Sequence, residues 1–257
     1  MNDLNQADAV RRQYASSGNL QTRISIHEKY SVNKQGFGNW IAEHYDFPAG
    51  ASVLELGCGT GSFWQHRDGQ IHSFSRLVLS DLSEGMLQTA KETLRRFESV
   101  EYRTADIQSI PFADSLFDAV IANMMLYHVP DIHRGLVEVR RVLKPGGTFC
   151  CATYGEHGIM EYIGSLFGVG ADQANHSFTL QNGAAQLLDH FSAVQRFDYP
   201  DSLAVTDVRD LADYIRSLAG MSALREIPEE EIIAVLESRM SGGVLSVPKE
   251  YGLFVAR

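Results

Sequence analysis

The sequence predicts an α/β fold, a mostly parallel sheet flanked by helices, and three observations predict it. Short apolar runs recur at residues 53–56, 77–79 and 117–122, each of strand length and each separated from the next by helical patterning. The first run ends in a turn of alternating glycines, Gly57-Cys58-Gly59-Thr60-Gly61. The second closes on an acid, in Leu77-Val78-Leu79-Ser80-Asp81, about 20 residues further on. Strands that alternate with helices in this way assemble by βαβ units.

Each element has its own signal. Residues 4–46 carry no strand pattern and show helical spacing at 24–30 and 37–45, before Pro48-Ala49-Gly50 breaks it. The helix expected after Gly61 is poorly marked because Gly69 interrupts it. A better one starts at Ser83, whose hydroxyl suits an N-cap, with Met86, Leu87, Ala90 and Leu94 on its apolar stripe. Another runs from about Ile132 to Leu143 behind a cap at Asp131, with Leu136, Val139 and Val142 inward and Pro145-Gly146-Gly147 as its stop. Residues 155–177 are too long for an ordinary connection and read as a lid. Residues 179–191 return to helical spacing, 193–199 and 251–256 read as sixth and seventh strands, and 207–218 and 228–240 read as two further helices.

The glycine turn carries the chemistry. Gly57, Gly59 and Gly61 lack the Cβ atoms that would keep a ligand off the backbone. A carboxylate at the end of the next strand, Asp81, can accept both hydroxyls of a ribose. The spacing is G-x-G-x-G, and the third glycine of the dinucleotide fingerprint falls on Ser62, which weakens a nicotinamide-cofactor reading.

Residues 55–61 with Asp81, then Thr104-Ala105-Asp106 with Ile110-Pro111-Phe112, then Phe117-Asp118-Ala119-Val120-Ile121-Ala122-Asn123, then Leu143-Lys144-Pro145-Gly146-Gly147-Thr148-Phe149 resemble, in order, the motifs of class I S-adenosylmethionine (SAM) dependent methyltransferases. The resemblance covers roughly residues 50–152. It implies a Rossmann-like sheet of seven strands, the last antiparallel beside the fifth, with helices on both faces and helical covers over the substrate. Residues 1–46 would form an N-terminal cover, and 47–257 the SAM-binding core with lid-like insertions near 154–178 and 207–245. The implied cofactor residues are Glu55, Gly57, Cys58, Gly59, Gly61, Asp81, Leu82, Met86, Asp106, Ile107, Asn123 and Met124. Within that set Glu55 would orient the loop or reach the cofactor ammonium through water. Asp106 would accept from the adenine amine, and Asn123 and Met124 would line the methionine portion.

Composition bounds the partners. A formal net charge of -10 argues against nucleic acid as the main partner, since binders of phosphate backbones display basic faces. Arg95-Arg96 and Arg140-Arg141 lie in amphipathic helices and read as solvated faces. Asn123-Met124-Met125-Leu126 departs from the Asn-Pro-Pro-aromatic pattern of enzymes that methylate DNA amino groups. No apolar run of membrane-spanning length or signal-peptide stretch occurs, so a cytoplasmic protein with reduced cysteines is expected. His128, Asp131 and His133 lack a further ligand for a metal.

His128, which follows the fourth strand, and Tyr14 and Tyr30 of the N-terminal cover are the candidate catalytic residues, the groups that a phenol or alcohol acceptor would use for proton removal. Methyl transfer can also proceed by alignment alone, since the sulfonium is already electrophilic. The expected activity is transfer to a small-molecule acceptor with release of S-adenosylhomocysteine. A protein or RNA methyltransferase and a non-catalytic SAM-binding regulator are the alternatives.

Overall fold

The computed structural model describes residues 18–170, 176–218 and 222–257, so Tyr14 lies outside the described residues. The described chain begins with α1 (Gly18–Tyr30), α2 (Phe37–Glu43) and β1 (Ser52–Leu56). A 3-10 turn at Ser62–Trp64 and a short α3 (Asp68–Ser73) lead to β2 (Arg76–Asp81), α4 (Glu84–Thr93) and β3 (Val100–Thr104). Next come β4 (Phe117–Asn123), a 3-10 turn at Leu126–His128, α5 (Ile132–Val142) and β5 (Leu143–Tyr154). The remainder is α6 (Ile159–Phe167), α7 (Gly183–Leu188), β6 (Val194–Tyr199), β7 (Ser202–Val205), α8 (Val208–Ser217), α9 (Glu229–Ser238), β8 (Leu245–Pro248) and β9 (Tyr251–Ala256).

Seven strands form one sheet in the order β3-β2-β1-β4-β5-β9-β6. The five strands from β3 to β5 run parallel, and β9 enters antiparallel between β5 and β6. The strand order reverses between β1 and β4, so a crevice opens beyond their carboxyl ends, where open α/β sheets bind ligands.

Strand alternation sorts the apolar side chains onto two faces. Leu54, Val78, Val120 and Phe149 pack with Leu136, Val139 and Val142 of α5, while Val53, Leu77, Ala119 and Ile121 pack with Leu87 and Ala90 of α4 and with Trp64. Cys150 and Cys151 divide between the two faces, each buried and unbridged. α2 also packs on the sheet, through Trp40 and Ile41 against Cys150, Ala152 and Leu253. The caps follow the sequence signals: Ser83 Oγ accepts from the Met86 N–H at 3.3 Å, and Asp131 Oδ1 accepts from the Arg134 N–H at 3.0 Å.

A separate core lies above the crevice. Ile26 and Tyr30 of α1 meet Ile159 and Ile163 of α6, Leu211 and Ile215 of α8, Ile232 and Leu236 of α9, and Leu203 and Val247 of a two-stranded ribbon formed by β7 and β8. The sequence pattern does not announce this ribbon, because four-residue strands are too short for alternation to stand out and the second ends on Pro248. The helical spacing at 179–191 shortens to the six residues of α7. Thr179, before it, donates its N–H to Asn182 Oδ1 at 2.8 Å, and Gly183 sits so close to Phe254 and Phe178 that a Cβ there would meet ring carbons at 2.8 and 2.9 Å.

Candidate active site

One cavity of about 830 Å³ occupies the crevice and continues beneath the cap. Its lower half is built by the ends of β1, β2 and β4. Gly57, Cys58 and Gly59 line it after β1, Asp81, Leu82 and Met86 after β2, Asp106 and Ile107 after β3, and Asn123 and Met124 at the end of β4. Leu56, Thr60, Ser62, Ala105, Gln108 and Met125 join them, although sequence reasoning had not singled them out.

The glycine turn is shaped by contacts that only glycine permits. Gly57 has φ +70°, and a Cβ there would come within 2.9 Å of both Cβ and Cγ of Met125. Met124 itself sits at φ 53°, a left-handed conformation rare for a non-glycine residue and common at ligand sites. Gly61 does not line the cavity. Its φ is +71° and its bare Cα lets α4 approach, since a Cβ would lie 3.2 Å from Ala90 and Leu94 side-chain carbons, so its role is packing behind the turn.

Asp81 braces the loop from the neighbouring strand, accepting from the Gly59 N–H at 2.9 Å and from the Ser83 N–H at 2.8 Å. Burial pushes its carboxyl above the ordinary value, and these backbone donors oppose the rise. Each oxygen keeps a further lone pair, so the arrangement leaves room for ribose hydroxyls. Asp106 folds back on its own turn, with Oδ1 accepting from the Gln108 N–H at 2.8 Å.

Glu55 lies behind the turn. It is 2% exposed, does not line the cavity, and its Oε2 accepts from the Trp64 indole N–H at 2.6 Å. Burial raises its pKa to about 7 in spite of that hydrogen bond. Of the two roles expected for Glu55, this geometry is that of orienting the loop.

The upper half of the cavity is walled by α1, α6, α8 and the start of β9. Arg23 and His27, Tyr154, Ile159 and Met160, Tyr214 and Leu218, and Lys249 and Tyr251 line it. Tyr127 and His128 enter from the turn after β4. Tyr127 packs against Tyr154 with ring centroids 4.7 Å apart, and Phe37 against Tyr251 at 5.2 Å. Lys249 is held in an ion pair with Asp201, their side chains 2% and 0% exposed, and donates to Ser31 Oγ at 2.9 Å. His128 is pushed down to about 4 by burial, with the nearby Arg23 charge acting in the same direction, so it is neutral near pH 7.

Tyr30 is corrected by its surroundings. It does not line this cavity; its ring belongs to the cap core and its hydroxyl donates to Asp210. The helical period explains the error, because Ile26 and Tyr30 share the core-facing side of α1, while Arg23 and His27 share the side turned to the cavity. The sequence held no signal that separates this second side, because Ser25, Glu28 and Lys29 are polar at exposed positions of the same helix.

Comparison with known proteins agrees with the geometry. Residues 54–151 match the family model of a methyltransferase domain. The chain is 31% identical over 191 residues to the malonyl-[acyl-carrier protein] O-methyltransferase of Erwinia pyrifoliae, covering 72% of this chain and 67% of that one. The chain belongs to the class I SAM-dependent methyltransferases.

A second relative, the demethylmenaquinone methyltransferase of Symbiobacterium thermophilum, is 32% identical over 140 residues, 49% of this chain and 55% of its own length. Matches to other curated relatives span as little as 39% of the relative's length. The solved structure of the YcgJ protein from Bacillus subtilis shares the fold, with a TM-score of 0.62 at 19% identity over 85% of this chain and 96% of that one.

The lower half fits SAM by two features of this chain. The turn leaves an open cradle at Gly59, which lines the cavity and where a Cβ would have no atom within 4 Å, and Asn123 Oδ1 is buried without a hydrogen-bond partner while its Nδ2 donates to the Tyr45 hydroxyl at 2.7 Å. An orphaned acceptor at the end of β4 matches a cofactor that carries an ammonium donor. Among the described residues, no helix is long and apolar enough to cross a membrane.

Proposed function

We propose that this protein transfers a methyl group from SAM to a small-molecule acceptor seated beneath the cap. The observation that carries the reading is the continuity of the cavity, which runs from the glycine turn and Asp81 to a chamber walled by cap residues. About 830 Å³ is within the range of small-ligand cavities. The demethylmenaquinone relative also has a small molecule in its name, and the malonyl relative a small acyl group carried on a protein.

SAM supplies an electrophilic methyl on a sulfonium. Asp81 and the turn at Gly57 and Gly59 would hold its ribose and amino-acid portions, Asp106 and Ile107 its adenine, and Asn123 with Met124 its methionine end. The cap excludes water and aligns the acceptor, which for a strong electrophile is much of what a protein has to do. His128, neutral and on the cavity wall, is placed to accept the proton of a hydroxyl acceptor.

The test is incubation of purified protein with methyl-labelled SAM and fractionated host extract. Label in the low-molecular-weight pool supports the reading. Label confined to protein or RNA overturns it, and binding of SAM without label transfer to any pool points to a regulator.

A further inference from the structure

The acceptor half of the cavity has a chemistry of its own, set by α1. Arg23 and His27 of α1 and Ser31 just beyond its end follow at four-residue intervals, and all three line the cavity. Facing them are Tyr214 and Tyr251, which meet the His27 ring edge-on with centroids 6.0 and 5.6 Å away.

His27 Nε2 shares a hydrogen bond with the Tyr251 hydroxyl at 3.2 Å, while Nδ1 is buried and makes none. A buried polar nitrogen without a partner is an explicit anomaly, and on a cavity wall it identifies a place for a ligand's oxygen. The π-faces have a different occupant. Lys249 Nζ lies 5.0 Å from the Tyr251 ring centroid and 5.7 Å from that of Tyr199, so the cation position over Tyr251 is filled by the protein itself.

We infer that this subsite binds an aromatic hydroxyl compound, its oxygen hydrogen-bonded to His27 and its ring packed against Tyr214, Tyr251 and Phe37, and that it excludes ammonium acceptors. The inference rests on the methyltransferase reading and names the acceptor class for it. Two histidines act as internal probes of what the chamber does to a positive charge. Burial first, and a neighbouring cation second, push His27 down to about 3 and His128 to about 4; the second cation is Lys249 for His27 and Arg23 for His128. Asp201 opposes the shift at His27 without reversing it. Glu28 and Glu250 also line the cavity, Glu250 with its carboxylate engaged by the His157 N–H and Gln181 Nε2, but beside His27 and His128 burial and the neighbouring cation penalise an ammonium more than a neutral hydroxyl.

The experiment measures binding to the full chain saturated with S-adenosylhomocysteine, by calorimetry, with two probes of similar shape: 2-naphthol and 2-naphthylmethylammonium. The expected result is that 2-naphthol binds at least about tenfold tighter, and that His27→Ala and Tyr251→Phe each weaken it by roughly five- to tenfold. S-adenosylhomocysteine affinity stays at the wild-type level in both variants, which separates a lost contact from a lost fold. Tyr251→Phe removes a single oxygen and carries the test if His27→Ala does not fold. Equal or tighter binding of the ammonium probe, no binding of 2-naphthol, or unchanged 2-naphthol affinity in the folded variants overturns the inference alone. Failure of S-adenosylhomocysteine to bind the wild type overturns the methyltransferase reading together with it.

Discussion

Glu55→Gln should change how stability depends on pH while leaving the shape of the site intact. Glu55 is 2% exposed and accepts from the Trp64 indole, a contact that the amide oxygen of glutamine can also make. Burial raises its pKa from 4.5 to about 7, so the folded protein keeps a proton that the unfolded chain releases. Between those two values the native state binds more protons than the unfolded state. Stability from this group is therefore fully present below pH 4.5 and is lost as pH rises toward 7. The linkage relation makes the loss roughly 2–3 kcal/mol between pH 5 and pH 8. Glutamine does not titrate, so the difference between wild type and variant isolates this one group from every other carboxylate. Urea denaturation of both proteins at half-unit steps across that range measures it. The wild type should lose ground steadily against the variant as pH rises and level off above pH 7.5. Parallel curves, with a difference constant to about 0.5 kcal/mol, would refute a raised Glu55.

Gly57→Ala forces a Cβ to within 2.9 Å of Met125 at φ +70°, so calorimetry should show S-adenosylhomocysteine affinity at least tenfold lower and urea melts a loss of about 1–3 kcal/mol; unchanged affinity would mean the cradle does not hold the cofactor. Asp81→Ala removes the acceptor that braces Gly59 and Ser83, and SAM binding should weaken by about 1–3 kcal/mol in the same assay. Lys249→Met leaves the Asp201 carboxylate, 0% exposed, without its cation, and should cost about 3–5 kcal/mol in urea melts, much of it recovered in the double variant with Asp201→Asn. His128→Ala should leave SAM affinity within twofold and lower turnover of a hydroxyl acceptor by roughly 10²-fold, with wild-type kcat/KM flat from pH 6 to 8 because His128 titrates near 4. Full turnover in that variant would reduce His128 to a wall residue.

Much of the lower half of the site was legible in one dimension because its parts are local. A strand of four or five residues, a turn and the acid at the end of the next strand are each written contiguously, and βαβ geometry brings strand ends together without further instruction. Ser83 and Asp131 announced their helices for the same reason, since a cap is a contact across three residues. Gly61 shows the limit of such reading. Its place in the motif was plain, but whether its missing Cβ makes room for ligand or for α4 depends on Ala90 and Leu94, about 30 residues away in the chain.

The sequence by itself determined the parallel sheet and the order of its motifs, and the family resemblance carried by those motifs named the cofactor class. Short-range patterns encode these, and the strand-crossover rules then leave few alternatives. Only the tertiary structure decided the acceptor chamber. Its walls come from α1, α6 and α8, whose apolar faces bury one another in the cap core, and from β9, which belongs to the main sheet, so the segments involved are spread from Arg23 to Tyr251. That burial is non-directional and leaves no motif behind. It turned Tyr30 into the core and His27 toward the cavity, a choice set by which side of α1 the cap had to cover.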